Sequence, residues 1–249
     1  MTPPPIDNPE GHAGGGALRG WRGVAIRARR AIARTRRPAL SIAVRRSPLS
    51  DCWGYDRGTP VDRYYIRRFL ERHRADIRGD TLEVMDTHYS QRLGTDVLTR
   101  SVVDIDPTNP RATIVADLGV ADSLPESRFD CFVATQTLQL VPDIREAIRN
   151  GWRCLRPGGV MLATLPVVSR LHGSIDDEGD FWRTTPAAAT LLFGEVFGRD
   201  AVTIDAYGNH RTCIAFLSGM AHEELARRDL ETVDPRFPLL VGVRAVRNE

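Results

Sequence analysis

The sequence predicts an α/β protein: a three-layer sandwich around a mostly parallel sheet, closed by antiparallel strands near its C-terminus and preceded by a helical extension. Three observations carry that expectation. The first is the order of elements from Phe129 to Pro166, FDCFVATQTLQLVPDIREAIRNGWRCLRPGGVMLATLP. An apolar strand pattern, an amphipathic helix pattern and a Pro-Gly-Gly turn into a second apolar strand make a parallel crossover unit. The second is a series of acids closing earlier strand patterns: Glu83 and Asp86, then Asp106, then Asp117. The third is bulk composition: 249 residues, 42% apolar and 27% charged, are ordinary for a soluble chain with one substantial core.

Taken in order, residues 1–16 are rich in Pro and Gly and read as a disordered tail. Residues 17–78 read as a basic helical extension or lid. Ten arginines lie between Arg19 and Arg46 with no acid among them, interspersed with Trp21, Val24, Ile26, Ile32 and Leu40. Such a segment can lie on its own domain or on a second copy, its charged face outward. Gly20 and Gly23 interrupt the apolar side, which argues against anionic membrane or nucleic acid as its target. Within the extension, Asp62 caps a helix running through Tyr64, Ile66, Phe69 and Leu70 toward Ile77.

The main domain spans 79–249. TLEVM is its first strand, SVVDI its second and ATIVAD its third, ending at Asp117. Phe129 to Ala134 is a strand and Pro142 to Leu155 a helix, and Gly158-Gly159 turns into the strand VMLATLP. Thr185 caps the helix TPAAATLLFGEVF, with Pro186 in its first turn. AVTIDAYG and LLVGVRAVR alternate as the last, antiparallel strands.

Composition excludes some chemistry. All 34 basic residues are arginine, so neither a Schiff base nor a lysine nucleophile is available. The four cysteines, at 52, 131, 154 and 213, lack metal-ligand spacing and read as buried reduced thiols, which suits a cytoplasmic protein. No apolar run reaches membrane-spanning length and the N-terminus has no signal-peptide pattern. The acidic run Asp176, Asp177, Glu178 and Asp180 has no second ligand cluster beside it, so it reads as a solvated loop and not a metal site.

In an open parallel sheet, ligands gather at the carboxyl ends of the strands where strand order reverses. An acid just past the second strand, Asp106, can accept hydrogen bonds from both hydroxyls of a ribose. Asp117 can hold the exocyclic amine of an adenine with Leu118 packed on the ring. Gln136 and Thr137, beyond the Phe129 strand, can reach the remainder of such a ligand. Each acid also has a plain structural reading: Asp104 and Asp106 as the start of a turn before Pro107, Asp117 as a turn cap.

The run ADLGVADSLPESRFDCFVATQTLQLVPDIREAIRNGWRCLRPGGVMLATLP resembles class I S-adenosylmethionine-dependent methyltransferases, which end this region in a Leu-Lys/Arg-Pro-Gly-Gly turn. The likeness extends over about Thr81 to Phe197. It implies a Rossmann-like fold and S-adenosylmethionine as cofactor, with Glu83 as the acid closing strand one, Asp106 as the ribose acid and Asp117 on the adenine side. Gln139 stands where many members have His. A narrower methyltransferase-like group, often encoded beside glycosyltransferases or natural-product genes, shares the GYDRGTPVDRYYI block at 54–66 and the GDFWR stretch at 179–183. One departure stands out. The family keeps alternate glycines after strand one so that backbone can approach the methionine moiety, whereas this chain has Met85, Asp86, Thr87 and His88.

The resemblance implies methyl transfer to a small acceptor, here expected to be a hydroxyl of a sugar or natural product and not nucleic acid. His210, on the turn made by Gly208 and Asn209, is the first candidate general base, with His88 and His172 behind it. Arg57, Arg63 and Tyr64 can close over the cleft and hold a carboxylate or phosphate, and Trp182 and Arg183 can line its opening. Each of these also reads as a packing or ion-pairing residue. The altered loop keeps two other readings open: a binding or assembly protein that retains the fold, and a cyclase or isomerase built on it.

Overall fold

The computed structural model describes residues 46–172 and 179–248; the tail, most of the Arg-rich segment and the acidic run 176–178 lie outside them. Seven strands form one sheet: β1 (Gly79–Val84), β2 (Val97–Asp104), β3 (Ile114–Val115), β4 (Phe129–Thr135), β5 (Leu155–Pro166), β6 (Val202–Tyr207) and β7 (Leu240–Val246). Their order is β3-β2-β1-β4-β5-β7-β6. β1 to β5 pair parallel, and β7 runs antiparallel to both β5 and β6. The expected antiparallel ending is therefore carried by β7, while β6 on the outer edge points the same way as β1–β5.

Helices cover both faces: α1 (Val61–Arg72), α2 (His88–Leu93), α3 (Ile144–Cys154), α4 (Pro186–Phe197), α5 (His210–Leu217) and α6 (Arg227–Glu231). The crossover unit forms as its pattern dictates. Asp143 caps α3 by accepting from the Glu146 N–H, and Ile144, Ala147 and Ile148 face the sheet. β5 begins directly after α3, and Gly158, at φ +79°, lies inside it where its pairing with β4 shifts register, in a conformation that other residues rarely adopt. Thr185 caps α4 by accepting from the Ala188 N–H, with Pro186 at the first helical position.

On the opposite face, α1 buries Val61, Tyr65, Ile66, Phe69 and Leu70 almost completely. At about 2 kcal/mol for each large apolar side chain, that burial contributes on the order of 10 kcal/mol before entropy is charged against it. Phe69 lies so close to β7 that a Cβ on Gly242 would sit 2.4 Å from its ring, which makes glycine a packing requirement there. The described part of the N-terminal extension is thus one wall of the core. Residues 49–60 also clasp the segment after α5: the Leu49 N–H donates to the Ser218 carbonyl, and Pro60 bridges Ala221.

Several boundaries differ from the sequence reading. α1 stops at Arg72 and a 3-10 turn covers residues 74–76, because the chain must reverse into β1 at Gly79. β2 begins at Val97, four residues early, and β3 shrinks to two residues at the sheet edge. α2, α5 and α6 are additional. Three cysteines are buried, but Cys52 is exposed; all four are free thiols. No helix among the described residues is long and apolar enough to cross a membrane.

Candidate functional site

The chain leaves β1 for β2 and β3 on one side and returns to β4 on the other, so strand order reverses between β1 and β4. A crevice is expected at their carboxyl ends. Both strands end there in an unusual way: Met85, just past β1, has φ +69°, and Gln136, just past β4, has φ +49°. Left-handed backbone at non-glycine residues is uncommon, and it clusters where a chain must be re-aimed around a site. The Met85 side chain is largely exposed, 62% by area.

The loop after β1 is tied down by its surroundings. The Met85 N–H donates to the Val103 carbonyl, extending the ladder by one residue. The Asn109 amide donates both to the Met85 carbonyl, at 2.9 Å, and to Asp104 Oδ2, at 2.6 Å. Asp86 Oδ1 accepts from the His88 N–H and begins α2.

Glu83 has a different task from the one expected. Its two carboxylate oxygens accept from the Tyr89 and Ser90 N–H groups, each at 2.9 Å, so the side chain caps α2 from beneath. Burial pushes its carboxyl up to about 7, against the pull of those hydrogen bonds. A side chain 3% exposed with both oxygens engaged is not presented to a ligand.

The acid nearest the crevice after β2 is Asp104, the last residue of that strand. The strand pattern placed the end two residues late, at Asp106. Asp106 is exposed, and its Oδ1 accepts from the Thr108 hydroxyl and N–H, which hold its pKa below the usual carboxylate value. Asp117 forms a similar turn, accepting from the Gly119 N–H at 2.8 Å. The Asn150 amide, buried on α3, holds that turn from inside by donating to the Leu118 and Val120 carbonyls. Leu118 itself is 6% exposed and packs into the core, so it offers no open face for a ring to stack on.

Past β4, Gln136 donates its N–H to the Thr164 carbonyl of β5, while its Nε2 is buried with no hydrogen-bond partner among the described residues. Thr137 turns inward, its hydroxyl donating to the Thr135 carbonyl. Gln139 donates to the Gln136 carbonyl, and its Oε1 is likewise buried without a partner. The Gln139 carbonyl accepts from the Phe181 and Trp182 N–H groups, so the 180–183 segment lies against the post-β4 turn.

The expected acceptor-side residues separate. Trp182 donates its indole N–H to the Val141 carbonyl and is pinned by it. Arg183 forms a two-pronged pair with Asp180, whose pKa falls because Arg183 and the His172 N–H outweigh its burial. Arg57 is 5% exposed and paired with Glu224 through Nε and Nη2. Tyr64 packs beside Tyr65 and His222, and its hydroxyl accepts from Arg68. His210 opens α5 beyond β6, the outermost strand on that side, edge-on to Phe237. Its place follows from the Asn209 cap, which converts the expected tight turn into a helix start. That edge is remote from the β1–β4 reversal. Arg63 lies toward the end of β1: α1 runs antiparallel to β1 and touches α2, so its first turn lies near the start of α2, and Arg63 and Tyr89 influence each other's charge.

A family profile described as "Methyltransferase domain" matches residues 78–163. No curated protein matches the chain. Among solved structures, the chain is similar to a protein from the complex between the Haloferax volcanii Trm112 methyltransferase activator and its methyltransferase partner. The TM-score is 0.53 at 11% identity, covering 76% of this chain and 92% of the other. It is also similar to the [4+2]-cyclase SpnF, with a TM-score of 0.50 at 15% identity, covering 90% and 96%. At these identities the likeness is one of fold.

Proposed function

We propose that this protein, whose residues 78–163 match a methyltransferase-domain profile and whose sequence resembles class I S-adenosylmethionine-dependent methyltransferases, uses S-adenosylmethionine to transfer a methyl group to a hydroxyl of a small molecule such as a sugar or natural product. The observation that carries the reading is the reversal of strand order between β1 and β4, where two residues in left-handed conformation flank polar groups with unused bonding capacity. Asp104, with Asp106 and Asp117 beyond it, holds the nucleoside end. An ionised carboxylate has about four acceptor positions, and the hydrogen bonds found here fill only some of them. The buried Gln136 amide is a donor without a partner, an expensive arrangement in the absence of a ligand. On these grounds the residues fit the cofactor's nucleoside end.

When bound, the cofactor supplies a methyl already activated on a sulfonium. The chain's own part is then placement, exclusion of water and removal of the acceptor proton. Gln136 and Gln139 orient polar groups beneath the Phe181–Trp182 segment. His88, at the start of α2 and edge-on to Tyr89, is the proposed proton acceptor in place of His210. The test is calorimetry with S-adenosylmethionine and S-adenosylhomocysteine, followed by transfer of a labelled methyl to matched sugar, phenol and amine acceptors. Binding with hydroxyl methylation is expected; absence of binding removes the reading.

One observation favours a second reading. Glu83 is fully engaged as a helix cap and the loop after β1 lacks glycine, which suits a family member that retains the fold for binding or for cyclisation, the activity named for SpnF. Tight cofactor binding without transfer to any acceptor supports that alternative.

A further inference from the structure

The loop after β1 supplies no glycine backbone for the amino-acid end of the cofactor, and its acid, Asp86, accepts from the His88 N–H and faces Arg111 at 4.0 Å. A cation with bonding capacity left comes from outside the matched segment. Arg63, in the first turn of α1, donates through Nε to the Tyr55 hydroxyl at 2.9 Å. Its Nη1 lies 3.5 Å from Asp62 Oδ2, longer than a good hydrogen bond, and its Nη2 donates to nothing among the described residues.

Asp62 faces this guanidinium only through that longer contact. Burial raises its pKa although Arg63 and the Arg63 N–H oppose the rise. Burial also works against the Arg63 charge, yet Asp62, Tyr55 and Tyr89 outweigh it and raise the guanidinium's pKa, so the side chain stays charged. On the neighbouring helix, Tyr89 lies in the first turn of α2, and its hydroxyl has no hydrogen bond among the described residues. Burial raises that hydroxyl to about 12, against the pull of Arg63, so it remains a donor at neutral pH. The guanidinium and the phenol donor thus sit on two helices in contact with each other, the second tied to the end of β1 through Glu83. Paired N–H donors on a planar fork match the two oxygens of a carboxylate.

We infer that Arg63, assisted by Tyr89, forms a carboxylate-binding site for the amino-acid end of the cofactor, so that the helix preceding the domain takes over from the loop after β1. This rests on the cofactor reading above. It also explains why the clasp of residues 49–60 onto the segment after α5 is built so firmly: Tyr55 and the start of α1 must be held in place over the rim.

The experiment is a calorimetric comparison of S-adenosylhomocysteine, which carries the carboxylate, with 5′-methylthioadenosine, which lacks the amino-acid group. Wild-type protein should bind the first more tightly. Arg63→Met should weaken it by about tenfold to a hundredfold, the scale of a charged hydrogen-bonded contact, and leave 5′-methylthioadenosine unchanged. Tyr89→Phe should weaken it by a few-fold, in the same selective way. Arg63→Lys, which keeps charge but not the fork, should fall between; it also serves if the Met variant does not fold. Equal loss for both ligands, no loss, or equal wild-type affinities overturn the assignment while leaving the cofactor reading intact. Binding of neither ligand to wild-type protein overturns both.

Discussion

The two edges of the sheet both hold charged and polar groups but use them in opposite ways. At the amino edge, Arg156 pairs with Asp80 and Asp130 at 2.8 and 2.7 Å, and Arg244 pairs through both nitrogens with Asp76. Pairing raises the pKa of both arginines. A hollow of about 470 Å³ lies among these residues, yet its charges already answer one another. At the carboxyl rim the acids are held only by local turns, the Gln136 amide has no partner, and Arg63 presents an open edge. Closed ion pairs hold strands in register, whereas unfinished polar groups mark where a ligand completes the bonding. By that criterion the size of the amino-edge hollow does not make it the site.

The comparison is sharpened most by Glu83, a rim residue that has taken a structural role. Its carboxyl titrates near 7 in the folded chain against 4.5 as its ordinary value. Between those pH values the unfolded chain has released the proton and the folded chain has kept it. The Glu83 contribution to stability is therefore full below about pH 4.5, falls as pH rises toward 7, and is level above that, a change of roughly 3 kcal/mol. Denaturant unfolding across this range should show that Glu83→Gln removes the corresponding slope. An unchanged slope would return Glu83 to the set of free acids.

Next in size is Asp104→Ala. It should lower S-adenosylhomocysteine affinity by about tenfold, while Asp106→Ala has a smaller effect. The reverse order in calorimetry would move the ribose contact back to the exposed turn. The smallest effect belongs to the amino edge: Arg156→Ala removes a pair 40% exposed on the arginine side, so thermal unfolding should register less than about 1 kcal/mol and ligand affinity should not change. A loss of affinity there would break the contrast between the edges.

How much of this was legible in the sequence follows from element length. α3 and β5 are long and periodic and form as the pattern predicts, although β5 starts at Leu155 and takes in the Gly158-Gly159 pair expected to turn into it. α2, α5 and α6 have six, eight and five residues, too few turns for periodicity to register. One signal for α5 was present: Asn209 followed by Thr212, which cap each other reciprocally. The site suffered from the same limits. Placing the end of β2 two residues late promoted Asp106 over Asp104. The engagement of Glu83 by Tyr89 and Ser90 depends on a helix that the pattern did not reveal. His210 was misplaced for a different reason: a residue can follow a strand at the correct edge of the sheet and still stand strands away from the crevice.

The central claim is that the rim between β1 and β4, and not the hollow at the amino edge, receives the nucleoside ligand. Amide chemical-shift mapping during titration with S-adenosylhomocysteine tests it directly. The account predicts that the largest shifts fall on Met85–Tyr89, Asp104–Asp106, Asp117–Gly119 and Gln136–Thr137, with residues 76–80 and 156–160 undisturbed. Shifts concentrated at 76–80 and 156–160, or none at saturating ligand, would contradict it.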